Sequence, residues 1–63
     1  MRAKRLDYYH TKRLYKLFVT PNVANAYIDF IDYRNCSRNE VDNEIIQLTK
    51  DNPGYTFFAV AVR

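Results

Sequence analysis

The sequence predicts an α+β fold in which one helix packs on one face of a three-stranded antiparallel sheet, in the order strand, strand, helix, strand. Three observations support it: a helix start signal at residues 37–40, a Pro-Gly turn at residues 53–54, and flanking segments rich in β-branched and aromatic residues. A chain of 63 residues has room for one domain. We therefore expect residues 1–63 to form a single domain, with residues 1–10 as a basic N-terminal arm.

The first predicted strand covers residues 13–19, where one face carries Tyr15, Leu17 and Val19 and the other carries Leu14, Lys16 and Phe18. The segment from Pro21 to Tyr33 has two interpretations. As a helix, it would begin with Pro21 at the favoured first position, and the fold would become strand, helix, helix, strand. We favour a strand, because β-branched and aromatic residues dominate its second half and a third strand makes a small sheet stable. The two strands would then turn near residues 20–22.

The helix is predicted from Ser37, whose Ser-x-x-Glu sequence with Glu40 has the form of a capping box. Val41, Ile45 and Leu48 follow at helical spacing and form one apolar stripe. The sequence Asp-Asn-Pro-Gly at residues 51–54 ends the helix and turns the chain. Residues 55–62 then read as a strand that is apolar on both faces, which is typical of a central strand.

One helix covers only one face of such a sheet. We expect the helix to meet Tyr15, Leu17, Val19, Ile28, Phe30, Phe58, Val60 and Val62. The uncovered face would then carry Leu14, Lys16, Phe18, Tyr27, Ile31, Tyr33, Tyr55 and Phe57, with Lys16 and Asp29 as its few charges. A contiguous apolar surface of this kind usually marks an interaction site. The alternative is that the N-terminal arm, residues 5–10, folds back and covers it with Leu6, Tyr8 and Tyr9.

The composition argues against an enzyme. The chain has one His, one Cys and one Gly, which leaves no catalytic constellation, no metal-ligand set and no Gly-rich phosphate loop. We therefore expect no enzymatic activity, no metal and no cofactor. A single cysteine fits a reducing compartment, and no apolar stretch is long enough for a signal peptide or a membrane span. We expect a cytoplasmic protein that does not associate with membranes.

Positive charge is concentrated at the start of the chain. Residues 1–16 hold six basic side chains and one acidic one, a net charge of +5 against +3 for the whole chain. We expect a non-catalytic module that binds a larger protein through an acidic surface, with aromatic anchors and basic steering residues. The predicted contact residues are Arg5, Tyr8, Tyr9, Lys12, Arg13, Tyr15, Lys16, Phe18, Tyr27 and Phe57. Nucleic-acid binding through the same basic and aromatic residues is the alternative, and a homodimer is a third hypothesis.

The helix entry Cys36-Ser37-Arg38-Asn39-Glu40-Val41 and the exit Asn52-Pro53-Gly54-Tyr55, set between a hairpin and a final strand, resemble those of very small phage-encoded proteins. These proteins include inhibitors of bacterial RNA polymerase and antitoxins that neutralise a host toxin. The resemblance covers residues 13–62 and implies a compact factor of a phage or mobile element that binds a bacterial host protein and blocks it. It would then act in the bacterial cytoplasm. The resemblance assigns no individual site residue.

Overall fold

The structure is a computed structural model that describes residues 10–63. These residues form strand β1 (Arg13–Pro21), strand β2 (Asp29–Cys36), helix α1 (Arg38–Asp51) and strand β3 (Tyr55–Ala61). The strands make one antiparallel sheet in the order β2-β1-β3. The predicted α+β fold and its element order are confirmed. The alternative with a helix over residues 21–33 is wrong.

Strand β1, and not β3, lies in the middle of the sheet. Its Tyr15 and Leu17 are completely buried, together with Val41 of helix α1. Strand β3 lies at an edge although both of its faces are apolar. The prediction of a central position for this strand is therefore wrong, because apolar faces indicate what covers a strand above and below and not how many strands lie beside it.

The connection between β1 and β2 is a loop over residues 22–28 and not the tight turn that the sequence predicts. Asn25 adopts a positive φ of 59° inside it, a conformation that asparagine tolerates better than most residues. The Thr20 hydroxyl donates a hydrogen bond of 2.7 Å to the Tyr27 carbonyl and closes the loop. Pro21 ends β1 beyond its last pairing with β2, at Val19, so the missing N–H removes no bond from that ladder.

Helix α1 begins with the predicted capping box. The Ser37 hydroxyl accepts a hydrogen bond of 3.2 Å from the Glu40 N–H, and the Glu40 carboxylate accepts one of 2.9 Å from the Ser37 N–H. At the other end, Gly54 has a φ of 93°, which permits the sharp turn into β3. Because local interactions define both ends, the helix boundaries match the prediction. No helix in the described part of the chain is long and apolar enough to cross a membrane.

Candidate functional site: the open face of the sheet

The cross-strand register divides the sheet into a helix side and an open face. Residues that pair across antiparallel strands point to the same side, so the partners of Leu14, Lys16 and Phe18 share the side opposite to the buried Tyr15 and Leu17. We call this surface the open face. It comprises Leu14, Lys16, Phe18, Thr20, Phe30, Tyr33, Asn35, Thr56, Phe58 and Val60.

A continuous row of aromatic rings crosses the open face and includes all three strands. The Tyr33 and Phe30 ring centroids are 5.2 Å apart and the Phe30 and Phe18 centroids 5.9 Å apart, both in edge-to-face geometry. Phe18 then stacks on Phe58 at 5.2 Å with an interplanar angle of 21°. These geometries are the favourable ones for aromatic pairs, so the rings support one another and hold the row in place. We call this set the ring row.

The ring row remains accessible within the described part of the chain. Phe30 and Tyr33 on β2 are each 49% exposed, and Val60 on β3, on the other side of Lys16, is also 49% exposed. Leu14 extends the apolar surface at 41% exposure. Sheets that keep one face in water normally place polar residues there, so this face is unusual for a solvated one.

A bulge in β2 determines the composition of the open face. The β1–β2 register shifts between Leu17 and Phe18, so that Leu17 pairs with Asp32 but Phe18 pairs with Phe30, and Ile31 is the extra residue. A regular ladder would have paired Phe18 with Ile31 and would have left Phe30 on the helix side. The bulge therefore adds Phe30 to the ring row and moves Asp29 to the helix side.

The prediction for β3 was displaced by one residue. Phe18 pairs with Phe58, so Phe58 and Val60 lie on the open face and Phe57 lies on the helix side. A shift of one residue exchanges the two faces of a strand, and both alternating sets of β3 are apolar, so alternation did not separate them. The useful signal was size: the small residues Ala59 and Ala61 share their side with Phe57, where the helix approaches the sheet.

Among the predicted contact residues, Lys16 and Phe18 lie on the open face. Tyr15 is completely buried on the helix side, where the alternation of β1 predicts it, and is not accessible to a partner. Phe57 lies on the helix side, so its expected place on the open face is wrong. Tyr27 lies in the loop before β2 and is 63% exposed, away from the ring row.

The described basic residues of the predicted site, Lys12, Arg13 and Lys16, have different surroundings. Lys12 lies 3.7 Å from the Glu40 carboxylate at the helix start. Arg13 is the first residue of β1 and lines a shallow groove together with Val60, Ala61 and Arg63. Arg5, Tyr8 and Tyr9 lie outside the described residues.

Lys16 is the one charged residue among the open-face positions that the register defines. It pairs with Tyr33 on one side and Val60 on the other, so it lies within the apolar surface. The expectation that Asp29 shares this face is wrong, because the bulge turns it to the other side. Asp32 also lies on the helix side, where one carboxylate oxygen is 3.3 Å from Arg34.

Polar as well as apolar contacts hold the helix against the sheet. The Arg34 Nε donates to both oxygens of Glu44, at 3.0 and 2.9 Å, and thereby ties β2 to the helix. This hydrogen bond raises the pKa of Arg34, against the opposing effect of desolvation. The Arg38 guanidinium lies 5.9 Å from the centre of the Tyr15 ring, in cation–π range. These contacts leave the open face as the accessible apolar side of the sheet.

Cys36 is half-buried at the end of β2. Burial, followed by the negative charges of Glu40 and Glu44, raises the pKa of its thiol. A raised pKa keeps the sulfur protonated at neutral pH, where a nucleophilic cysteine needs a thiolate. Over residues 10–63 there is no group of three or more His, Cys, Asp or Glu side chains that could hold a metal ion.

Comparison of the chain with protein-family models, with curated proteins and with solved structures finds no match.

Proposed function

We propose that this chain is a non-catalytic protein-binding module whose open face packs against a larger protein. The observation that carries the proposal is the ring row, which presents Phe30 and Tyr33 at 49% exposure on a three-stranded scaffold. Aromatic side chains are enriched among the residues that dominate binding energy, since they bury a large area at low entropic cost. A protein partner would cover these rings and Leu14, and would leave the helix side untouched.

The geometry of the rings favours a protein over stacked bases as the ligand. Phe30 directs its ring edge-to-face at both Phe18 and Tyr33, while Phe18 and Phe58 stack on each other. A base-stacking platform needs ring faces that stay free for the bases. A packed aromatic cluster is instead typical of the apolar centre of a protein interface.

The charges near the open face support an acidic rim on the partner. Lys16 lies inside the surface, and Arg13 and Arg63 line the groove beside Val60. Basic residues at the margin of an apolar contact steer an acidic partner and increase the association rate. Together with the resemblance to small phage-encoded inhibitors, this supports a factor of a phage or mobile element that binds and blocks a bacterial host protein.

Nucleic-acid binding is the second candidate, and one observation favours it. The β2 bulge turns Asp29 away from the open face, so none of the open-face residues listed above is acidic and would repel a phosphate that bound at Lys16. A single basic side chain on an apolar face is a small electrostatic footprint for nucleic acid, which usually recruits several Lys and Arg residues.

A capture experiment with paired variants tests the proposal. The immobilised chain is incubated with nuclease-treated bacterial lysate, and bound proteins are quantified by mass spectrometry for wild type, Phe30→Ser and Ile46→Ser. Both positions are exposed, but Ile46 lies on the helix, at 59% exposure. We expect one stoichiometric protein to bind wild type and Ile46→Ser, and to be lost from Phe30→Ser.

Two outcomes would contradict the proposal. If Phe30→Ser captures the same protein as well as wild type does, the open face is not the binding surface. If capture requires nucleic acid, and purified RNA or DNA binds with an affinity that falls steeply as salt rises, the second candidate replaces the first.

A further inference from the structure

We propose that the outer edge of β3 pairs with the same edge of a second copy of this chain, which joins two sheets into one of six strands. This inference concerns the edge of the sheet and does not rest on the proposed function of the open face. Within the described residues, β1 is the one strand that pairs with β3. The other edge of β3 therefore presents unpaired backbone groups.

The two edges of the sheet differ in a way that singles out β3. Strand β2 carries Asp29, Asp32 and Arg34 and is interrupted by the bulge at Ile31. Charged residues and bulges are the devices by which natural proteins prevent strands from adding to an edge. Strand β3, with the sequence Tyr-Thr-Phe-Phe-Ala-Val-Ala, has no charged residue and no proline, and its register with β1 is regular.

The backbone groups that point outward follow from the ladder with β1. The Val62 N–H donates to the Leu14 carbonyl at 2.9 Å, and the Asn22 N–H donates to the Gly54 carbonyl at 2.9 Å. Hydrogen-bonded pairs alternate along an antiparallel ladder, so the even-numbered residues of β3 bond to β1. The odd-numbered residues therefore direct their backbone groups to the open edge: both N–H and C=O at Phe57, Ala59 and Ala61, but only the C=O at Tyr55, whose N–H donates to the Asn52 carbonyl at 3.3 Å.

These outward groups fit a two-fold pairing of the strand with itself. When the two-fold axis passes beside Phe58, Phe57 lies opposite Ala59 of the second copy and Tyr55 lies opposite its Ala61. Every odd-numbered residue then meets an odd-numbered residue. The two Phe57–Ala59 pairs can exchange both backbone hydrogen bonds, and in the two Tyr55–Ala61 pairs the Tyr55 carbonyl can accept from the Ala61 N–H. Identical strands in this arrangement make an isologous, closed contact.

The side chains agree with the same register. On the helix side each large ring, Phe57 or Tyr55, lies opposite a small alanine, so the two copies fit without crowding. On the open face the Phe58 rings of the two copies become direct neighbours across the axis. The ring row of one copy then continues into that of the other, with no charged residue of β3 between them.

The helices leave room for this pairing. Helix α1 covers Tyr15 and Leu17 of the middle strand and contacts β3 more than β2, so it lies over the β1–β3 half of the sheet. In the joined sheet, three strand spacings of about 4.8 Å separate the two β1 strands and two spacings separate the midpoints between β1 and β3, which gives helix axes about 10–14 Å apart. Packed helices need about 8–10 Å between their axes, so the two helices do not collide.

A charge-pair experiment tests the inference on the full chain. In the proposed register Thr56 lies opposite Val60 of the second copy, and both are exposed. Thr56→Lys/Val60→Lys would place like charges at both of these pairs, whereas Thr56→Glu/Val60→Lys would place opposite charges there. Both variants carry the same lysine beside Lys16 and both lose the Thr56–Asn22 side-chain bond. Apart from the charge pairs, they differ in net charge, which is +5 for Thr56→Lys/Val60→Lys and +3 for Thr56→Glu/Val60→Lys, as in wild type.

Light scattering from micromolar to millimolar protein gives the readout. We expect wild type and Thr56→Glu/Val60→Lys to approach twice the 7.6 kDa monomer mass, and Thr56→Lys/Val60→Lys to stay at 7.6 kDa. A wild type that keeps the monomer mass throughout overturns the inference. So does a doubly lysine-substituted variant that dimerises as well as wild type.

Amide hydrogen exchange of the wild type supplies a second, mutation-free test. We expect the amides of Phe57, Ala59 and Ala61 to be protected at high concentration and to lose that protection on dilution. A dimer in which these amides exchange as freely as those of the loop at residues 22–28 overturns edge pairing and indicates that the open faces pack together. Protection that does not change with concentration in a monomer also overturns it, because the edge is then paired within one chain.

Discussion

Replacing Leu17 and Leu14 with alanine, one at a time, tests the two-sided sheet most simply. Both leucines lie on β1, but Leu17 is completely buried under helix α1 and Leu14 is 41% exposed on the open face. The substitution is chemically the same at both positions. A difference in the free energy of unfolding therefore reports the difference in environment.

The expected magnitudes follow from burial. Leu→Ala removes three carbon atoms worth about 0.8 kcal/mol each when buried, or about 2.4 kcal/mol. At Leu17 the helix prevents full collapse, so a cavity term is added and the total falls within about 2–5 kcal/mol. At Leu14 water fills the space that is left, and the partial burial predicts a loss of about 1 kcal/mol. A chain of 63 residues has a total stability of about 3–9 kcal/mol, so Leu17→Ala removes a large part of it.

Urea unfolding followed by circular dichroism measures both values. We expect the midpoint of Leu17→Ala to fall much further than that of Leu14→Ala, with similar slopes for the two variants. If Leu14→Ala costs as much as Leu17→Ala, the open face is buried in solution and the description of an accessible ring row is wrong.

Three further predictions concern the helix start and the cysteine. Ser37→Ala removes the hydroxyl that accepts from the Glu40 N–H, and we expect a loss of about 0.5–2 kcal/mol in urea unfolding at neutral pH; a loss near zero would contradict the cap. Hydrogen bonds from the Ser37 backbone and side chain, together with nearby Lys12, lower the pKa of Glu40. Glu40 thus stabilises the fold above its ordinary pKa, and this contribution disappears as the pH falls through the lowered folded-state value. We expect the free energy of unfolding of Glu40→Gln to fall less than that of wild type as the pH is lowered. An equal fall in the two proteins would contradict this role of Glu40. Because burial raises the pKa of Cys36, we expect iodoacetamide to react more slowly with the folded chain than with the urea-unfolded chain at neutral pH, and equal rates would contradict that environment.

The helix could be predicted from the sequence because its determinants are local. The Ser37–Glu40 capping box satisfies backbone groups within one turn, and the turn at Pro53-Gly54 follows directly after the last helical residues. Neither depends on the rest of the fold. The number and order of the elements followed from the same local signals.

The composition of the open face could not be predicted, because it depends on strand register. Phe30 belongs to the ring row only because a bulge at Ile31 shifts the ladder, and no local pattern marks that bulge. Phe57 and Phe58 are identical residues in adjacent positions, so alternation could not tell which faces the helix. The burial of Tyr15 and Leu17 on the helix side was predicted, because the alternation of β1 places both on one face.

Hydroxyl-radical footprinting of two tyrosines, with and without the captured protein, tests the central claim most directly. Tyr33 and Tyr55 have the same chemistry and similar exposures, 49% and 46%, but Tyr33 lies on the open face and Tyr55 on the helix side. We predict that the partner strongly reduces the oxidation of Tyr33 and leaves that of Tyr55 unchanged. Protection of Tyr55 with Tyr33 still fully oxidised would contradict the proposal that the open face is the binding surface.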